Sequence, residues 1–562
     1  MTAPAPHIPI LVVLAIAILG ASRPTARAAD APGDKPAGPG ERVLYNGIEL
    51  PETWPPRAKD FPDHPQRPPY LASPPKLIPI DVGRQLFVDD FLIEETTLRR
   101  TFHRPEYYPG NPVVKPDRPR ELGRAPYAMP FSDGVWYDPQ DAIFKMWYFS
   151  GQGGTTCHAT SKDGLRWEKP QLDVEPGTNV VLRTSRDSGT VWIDPHPRDP
   201  GERFKMALYK GNFTLYRSPD GIHWTKAADG AKTGDRSTFF YNPFRQRWVF
   251  SIRTSSRLGR SRLYWETADF FSFSDAAAAR GEVVLWMASD SADPQRDDLK
   301  TRPQLYNLDC PAYESVLLGL FSIWRGDYRS PTTEKAKELL KLGRPKQNSV
   351  CVGFSRDGFH WDRPDRRPFM PVSEKMGDWN WGNLQSTAPG CLVVGEQLWF
   401  YVSGRAGKSF PGSENLDAGA STGLAMLRRD GFASMDAGEA PGTLTTRLVE
   451  FRGKHLFVNL DAPEGDLRVE VLDAESRPIA PLDREHCRPL RGNHTRQAVT
   501  WEGAPDLAAV AGKPVRLRFH LTRGSLYAFW VTPDRGGASY GYLGGGGPGL
   551  RGPVDLPRGT PP

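Results

Sequence analysis

The sequence predicts an all-β chain, a five-bladed β-propeller followed by a C-terminal β-sandwich. First, a turn phrase S-x-D-G-o-x-W, with o apolar, occurs at Ser161–Trp167, Ser218–Trp224 and Ser355–Trp361, with weaker copies at Thr267–Phe271 and Arg429–Phe432. Asp-Gly supplies a tight turn with positive φ, so the phrase is turn chemistry before it is active-site chemistry. Second, β-rich runs meet at Asx-Pro turns: Val135–Pro139 then Phe144–Tyr148, Val191–Pro195 then Phe204–Tyr209, and Phe239–Pro243 then Arg247–Ser251. One hairpin and one turn phrase make about four strands, the size of a propeller blade. Third, 16 Trp, 18 Tyr and 27 Phe suit stacked sheets, and 55 Gly with 55 Pro argue for many turns and few helices. The phrase Asp positions are spaced by 57, 49, 88 and 73 residues, and insertions near Pro294 and Thr333 account for the longest gap. Only 273–280 and 333–342 read as helical.

At the N-terminus, Ile8–Gly20 is an apolar run too short to span a bilayer, and Thr25–Ala29 offers a small-x-small cleavage site. Residues 1–29 therefore read as a cleaved signal peptide and the protein as secreted or periplasmic. Residues 30–79 are Pro-rich and read as a linker or wrapped arm. The folded part begins with Ile80–Glu94, where apolar runs flank Asp89 and Asp90. A strand here is expected to close the propeller ring and turn one of these carboxylates into the channel, or else to be a surface turn.

The propeller is placed at 80–438. Starts of its inner strands surround one channel mouth, where propellers gather functional side chains. Ser132-Asp133-Gly134, Ser188-Gly189-Thr190, Asp235-Arg236-Ser237 and Tyr313-Glu314-Ser315 are assigned to blades one to four, and Trp379–Gln385, with Trp379 and Trp381, to the fifth. Carboxylates and aromatic faces around one mouth suit cleavage of a glycosidic bond, which uses one carboxyl as acid and another as base or nucleophile. Glu314, in an otherwise apolar strand, is the expected acid because burial would raise its pKa; the structural alternative is a Glu paired with an Arg. Asp235 is the expected base, nucleophile or pKa-setting partner, with Asp89, Asp90 and Asp133 as the remaining carboxylates. Arg236, Arg253, Tyr313, Trp379 and Trp381 are the expected substrate contacts.

Asp138, Asp194 and Asn242 share one place in three repeats, and Asn serves there as well as Asp, so these are scaffold. Asp163, Asp220 and Asp357 in the turn phrase are scaffold too. Arg236, Arg253, Arg257, Arg260 and Arg262 cluster around the third blade; such a fork of donors suits carboxylate or sulfate groups, and a solvated loop is the plainer reading. Five separate Cys, with no zinc-type spacing, read as isolated buried thiols. No cofactor or metal is expected, and a net charge of +6 spread over 562 residues does not point to nucleic acid.

Beyond 438 the style changes to period-two strands, among them Leu467–Leu472, Pro514–Leu521 and Leu526–Val531, which predict a β-sandwich at 439–533. The tail at 534–562, rich in Gly and Pro, reads as disordered.

These phrases together resemble the five-bladed propeller glycoside hydrolases, the group of family 32 invertases and levanases and family 43 arabinanases and xylosidases. Leu86–Glu94, Asn111–Val113 and Leu427–Ser434 resemble more narrowly a set of exported family-32-like proteins of planctomycete-type bacteria, over about residues 80–533. The resemblance implies a secreted enzyme of carbohydrate metabolism acting on a polysaccharide or oligosaccharide. The invertase pattern W-x-N-D-P-N-G and its Glu-Cys acid motif are absent, and Arg198-Asp-Pro200 matches R-D-P only by letter, inside a hairpin turn. The alternatives are a non-catalytic glycan-binding propeller and a protein-interaction platform.

Overall fold

The computed structural model describes residues 1, 42–122, 126–151, 154–297, 301–325, 347–407 and 419–557. The expected signal peptide, apart from Met1, and the expected helix at 333–342 lie outside the described residues. Of the two helical readings, the first is observed as Asp275–Ala279.

Five antiparallel sheets form the propeller. Blade 1 spans Ala128–Met129 to Val180–Leu182, blade 2 Ser188–Ile193 to Thr225–Lys232, and blade 3 Thr238–Asn242 to Val284–Ala288. Blade 4 spans Gln304–Asp309 to Asn348–Ser355, and blade 5 Gly382–Ser386 to Ala420–Arg428. The turn phrase works as its chemistry requires. In its three full copies the Asp Oδ1 accepts the amides two and three residues on, at 2.8–2.9 Å, while the Ser Oγ accepts the amide of a Gly at positive φ. Asp163, Asp220 and Asp357 are thus spent on backbone, as scaffold residues should be.

Aromatic rings fill the gaps between blades. Trp136 meets Trp192 at 4.8 Å between centroids, Trp192 meets Trp248 at 6.5 Å, and Phe144 stacks on Trp399 at 6.3 Å. Burying each such ring contributes on the order of 2–3 kcal/mol. A ring of hydrogen bonds then ties the first strand of each blade to the next. Val191 N–H donates to Asp133 O, Arg236 N–H to Ser188 Oγ at 3.1 Å, and Thr238 Oγ1 to Leu308 O at 3.1 Å. Ser386 Oγ donates to Asp309 Oδ2 at 2.6 Å, and Val135 N–H to Ala388 O at 2.8 Å, which closes the circle. The first strands are therefore the innermost ones.

The C-terminal region is a nine-stranded sheet wrapped around a single core. Its strand His455–Leu472 pairs along one half with Gly524–Thr532 and along the other with Arg516–Thr522, and Phe519 and Phe529 from those partners meet at 5.2 Å. Three of its strands come from before the propeller: Gln85–Leu86, Ile93–Thr96 and Arg99–Phe102. This corrects the expected ring closure, because Phe87, Phe91 and Leu92 fill the C-terminal core rather than a blade. Glu106–Tyr107 instead forms the outer edge of blade 5.

The tail is also corrected. Tyr542–Leu543 pairs with Tyr313 and Glu314 of blade 4, Gly545 accepts from Tyr137 N–H of blade 1, and Val393 N–H of blade 5 donates to Gly546 O. Four glycines let the backbone lie against three blades at the hairpin end of the channel. A Cβ at Gly547 would overlap the carbonyl oxygen of Val393. Composition reads as disorder, whereas the glycines serve close approach. Gly547→Ala is expected to destabilise the protein by about 1–3 kcal/mol, read as a lower urea midpoint, and an unchanged midpoint would refute this close packing of the tail.

Candidate functional site

With the tail at the hairpin end, the inner-strand starts face the other mouth. Three residues around it adopt left-handed backbone without being glycine: Phe131 at φ 44°, Arg236 at 63° and Asn383 at 51°. Each costs on the order of 1–3 kcal/mol, and such strain gathers at working sites. The same region holds buried polar atoms without a hydrogen-bond partner, among them Thr190 Oγ1, Asn307 Oδ1, Asn383 Nδ2 and Gln385 Oε1.

Asp309 lies below this mouth, inside the channel, and is buried. It ends the inner strand Gln304–Asp309, and its Oδ2 accepts from Ser132 Oγ of blade 1 at 3.0 Å, Asn307 Nδ2 at 2.8 Å and Ser386 Oγ of blade 5 at 2.6 Å. Burial pushes its carboxyl up to about 6, against the pull of Ser386, Ser132 and Arg262. Asp133 is likewise pushed up to about 6 by burial, although Arg186 donates to both of its oxygens. Gly189 leaves room for that pair, since a Cβ there would press on both partners. Asp235 goes the other way. Partial burial opposes its charge, but Arg260, Arg253 and Arg236 outweigh it and hold the carboxyl below the usual range.

Arg236 lies 3.8 Å from the centroid of the Phe131 ring, and Arg405 lies 5.3 Å from it. Arg262 is wholly buried and donates to the carbonyls of Arg236, Tyr306 and Ser251; burial pushes its pKa down to about 9.

Of the residues predicted from sequence, Asp133, Asp235, Arg236 and Arg253 meet at this mouth. Trp381 is buried beside Asn383, with its Nε1 unpartnered. Trp379 packs instead against Gly423 and Tyr107 of blade 5. Glu314 needs correction as the acid. It lies in the Ala312–Glu314 hairpin, and the true inner-strand start of blade 4 is eight residues upstream of the Ala312 start, at Gln304. Its carboxylate accepts from Arg84 N–H, Arg429 Nη2 and Ser539 Oγ at 2.6–3.1 Å, completely buried between propeller, tail and C-terminal sheet. Burial does push its pKa up, against Arg429 and Arg84, but no open mouth adjoins it. Tyr313 is corrected with it, because its hydroxyl donates to the buried Asp430.

Asp89 and Asp90 are corrected too. Asp89 is held by Arg356 through both oxygens at 2.8 and 2.9 Å, and Asp90 pairs with Arg100. They line a 990 Å³ groove formed by the Pro-rich arm and the outer parts of blades 3 and 4, away from the inner strands. Sequence reading missed Asp309. The signal was its place just before Cys310-Pro311, where the inner strand breaks, as blade 1 breaks after Asp133.

Expected scaffold residues behave as such: Asp138 binds Lys145 and Arg203, and Asp194 binds Lys205. Asp199 of the R-D-P match caps a short turn at Pro200–Glu202. All five Cys are buried and unpaired.

No protein-family model matches the chain, and no curated protein does. Solved structures resemble it in shape. A glycosyl hydrolase from Bacteroides ovatus shares 11% identity over 60% of this chain and 97% of its own, with a TM-score of 0.39. An N-acetylgalactosamine deacetylase from F. plautii shares 13% over 57% and 97%, with a TM-score of 0.35. An exo-β-1,3-galactanase from Phanerochaete chrysosporium shares 10% over 72% and 96%, with a TM-score of 0.31. The likeness is one of fold. It leaves the chemistry of the mouth to be argued from its own residues. Among the described residues no helix is long and apolar enough to cross a membrane.

The raised pKa of Asp309 has a stability consequence. Between the ordinary value of 3.8 and about 6 the folded state holds a proton that the unfolded chain has released. The group's contribution is therefore full below pH about 4 and lost as pH rises through about 6. Asp309→Asn, which keeps an acceptor for the three donors, should reduce the fall in stability between pH 4 and 7 by about 1–3 kcal/mol. Denaturant unfolding at both pH values measures it, and an unreduced fall refutes the assignment.

Proposed function

We propose that the protein is an exported glycan-acting enzyme, a glycoside hydrolase working at the open mouth of the propeller. This reading is supported by three carboxyls, Asp133, Asp235 and Asp309, that lie on or next to the first strands of three blades and whose environments push their pKa values apart. A carboxyl near 6 is matched to donating a proton to a leaving oxygen, and one held below the usual range stays ionised as base or nucleophile. Asp309 takes the acid role, Asp235 the base or nucleophile role, and Asp133, clamped by Arg186, tunes the field between them.

A non-catalytic glycan-binding role is favoured by a single feature, the engagement of both Asp133 oxygens by Arg186. Turnover separates the two readings. With release of reducing ends from a polysaccharide panel as readout, Asp309→Asn and Asp235→Asn should each lower kcat by about 10²–10⁴ while remaining folded. The wild-type rate should fall as pH rises through about 6, because the acid loses its proton. Full activity of Asp309→Asn overturns the acid assignment, and binding without release of ends supports the binding role.

Glu314→Gln makes the complementary case. It weakens the compensation of two buried guanidiniums, so stability falls by about 2–4 kcal/mol, while kcat per folded molecule is unchanged. A large loss of kcat in fully folded Glu314→Gln would restore that residue as the acid.

A further inference from the structure

A 990 Å³ groove lies where the Pro-rich arm, the outer strand of blade 3, the turn phrase of blade 4 and the first residues of the C-terminal sheet meet. That is the size of a small-molecule site, and junctions between structural units are where such sites gather. Its arm wall is pinned at both ends. Phe61 is buried against Leu258 and Ala288, and Arg257 donates to the Asp60 carboxylate at 2.7 Å and to Phe61 O at 2.8 Å. Further on, Tyr70 and Leu71 enter the core of the C-terminal sheet, and the Tyr70 hydroxyl donates to His360 O at 3.3 Å. Between the pins Pro62, Pro65, Pro68 and Pro69 restrict φ, while His64, Gln66 and Arg67 are exposed.

Folding leaves one carboxyl of this groove unmatched. Asp60 is held by Arg257, Asp89 by Arg356, Asp90 by Arg100 and Asp290 by Arg366. Among the described residues the Asp362 carboxyl accepts no hydrogen bond and lies in no ion pair, although it is only partly exposed. Burial pushes it up to about 6; Asp89 and Asp90 add to the shift, Arg100 and Arg366 oppose it, and it is ionised at pH 7. The same place in blades 1 and 2, just after the Trp of the turn phrase, holds Glu168 and Thr225, which are exposed. In blade 4 the arm and Asp89 wall it in. His360, two residues earlier, lines the same groove, and its Nδ1 is 2.7 Å from Asp357 Oδ2. A carboxylate only accepts, so Nδ1 holds the proton and Nε2 of the neutral ring is a second acceptor. The partly buried cations of the lining are taken, Arg363 by Asp293 and the others as above. Arg67 has no carboxylate partner among the described residues, but it is exposed to solvent, where an unpaired charge costs little.

We propose that this groove is a second ligand site, which binds an organic cation through a primary ammonium group paired with Asp362, with His360 beside it as a further acceptor. An ammonium brings the donors that both groups lack and the charge that balances Asp362. The carbon skeleton of the ligand meets Pro62, Pro65 and Pro364, exposed apolar rings of the lining. Two sources share this chemistry, an amino sugar and a free polyamine. The site is independent of the reading of the mouth, since none of its lining residues stands on an inner strand.

Isothermal titration at pH 7 tests it. The full-length protein is titrated with a glucosamine trisaccharide, with its N-acetylated counterpart and with spermidine. An amino-sugar site binds the free-amine trisaccharide about tenfold or more tightly than the acetylated one, and a polyamine site binds spermidine more tightly than either. Binding of the preferred probe should weaken by about tenfold or more in Asp362→Asn, weaken as salt is raised, and stay unchanged in Glu168→Gln, the exposed counterpart in blade 1. Asp362→Asn removes an unmatched charge from a partly buried place, so its urea midpoint at pH 7 should be no lower than that of the wild type. Failure of both ammonium probes to bind, or equal binding of the two trisaccharides without binding of spermidine, overturns the proposal. So does undiminished binding by Asp362→Asn. A clear loss of stability in Asp362→Asn also overturns it, because the carboxyl would then have a partner within the fold.

Discussion

The carboxylate of Asp309 holds three donors, one from the neighbouring blade 5 and one from blade 1 across the channel. A five-bladed propeller has a narrow channel, so inner strands approach closely and their polar groups must be satisfied across the axis. One acidic oxygen does this for blades 1, 4 and 5, and burial raises its pKa as a direct result. The group that joins these blades is therefore also one whose carboxyl is pushed up by its own burial. Stability and chemistry oppose each other at this residue, as they often do at working sites.

The other end of the channel is built on the contrary principle. Arg84, Arg429, Glu314, Asp430, Asp555 and Ser539 form a dry network in which charges find close partners. Arg84 also stacks on Trp530 at 4.1 Å, and Asn459 of the C-terminal sheet bonds Asp430. Removing one member strands its opposite charge, so the network specifies how propeller, tail and C-terminal sheet fit together. Close ion pairs in one dry network at one end and carboxyls on separate blades at the other distinguish the two ends of the channel.

The blades were legible in the sequence because turn chemistry is local. Ser161, Asp163 and Gly164 bond within their own few residues, and two further copies repeat the arrangement. Asp235 and Arg236 were legible because they break the repeat. Asp309 was hidden because the strand it ends is interrupted at Cys310-Pro311, which shifted the inner strand of blade 4 to Glu314. The role of Glu314 depends on partners 230 residues before it and 115 after it, which no local pattern announces. The glycines at 544–547 read as disorder because composition cannot tell a backbone that lacks structure from one pressed against other backbones. The early strands were misplaced for a related reason: Phe87 and Phe91 are apolar enough for a blade, and only the long-range pairing with Gly524–Thr532 assigns them to the C-terminal sheet.

The central claim is that Asp309 titrates far above an ordinary carboxylate because it is buried where the blades meet. Infrared difference spectra between pH 4 and 8, taken on wild type and on Asp309→Asn, measure this at the carboxyl stretch. The account predicts one carboxyl fewer titrating near pH 6 in the variant than in the wild type. Identical spectra above pH 5 in the two proteins would contradict it.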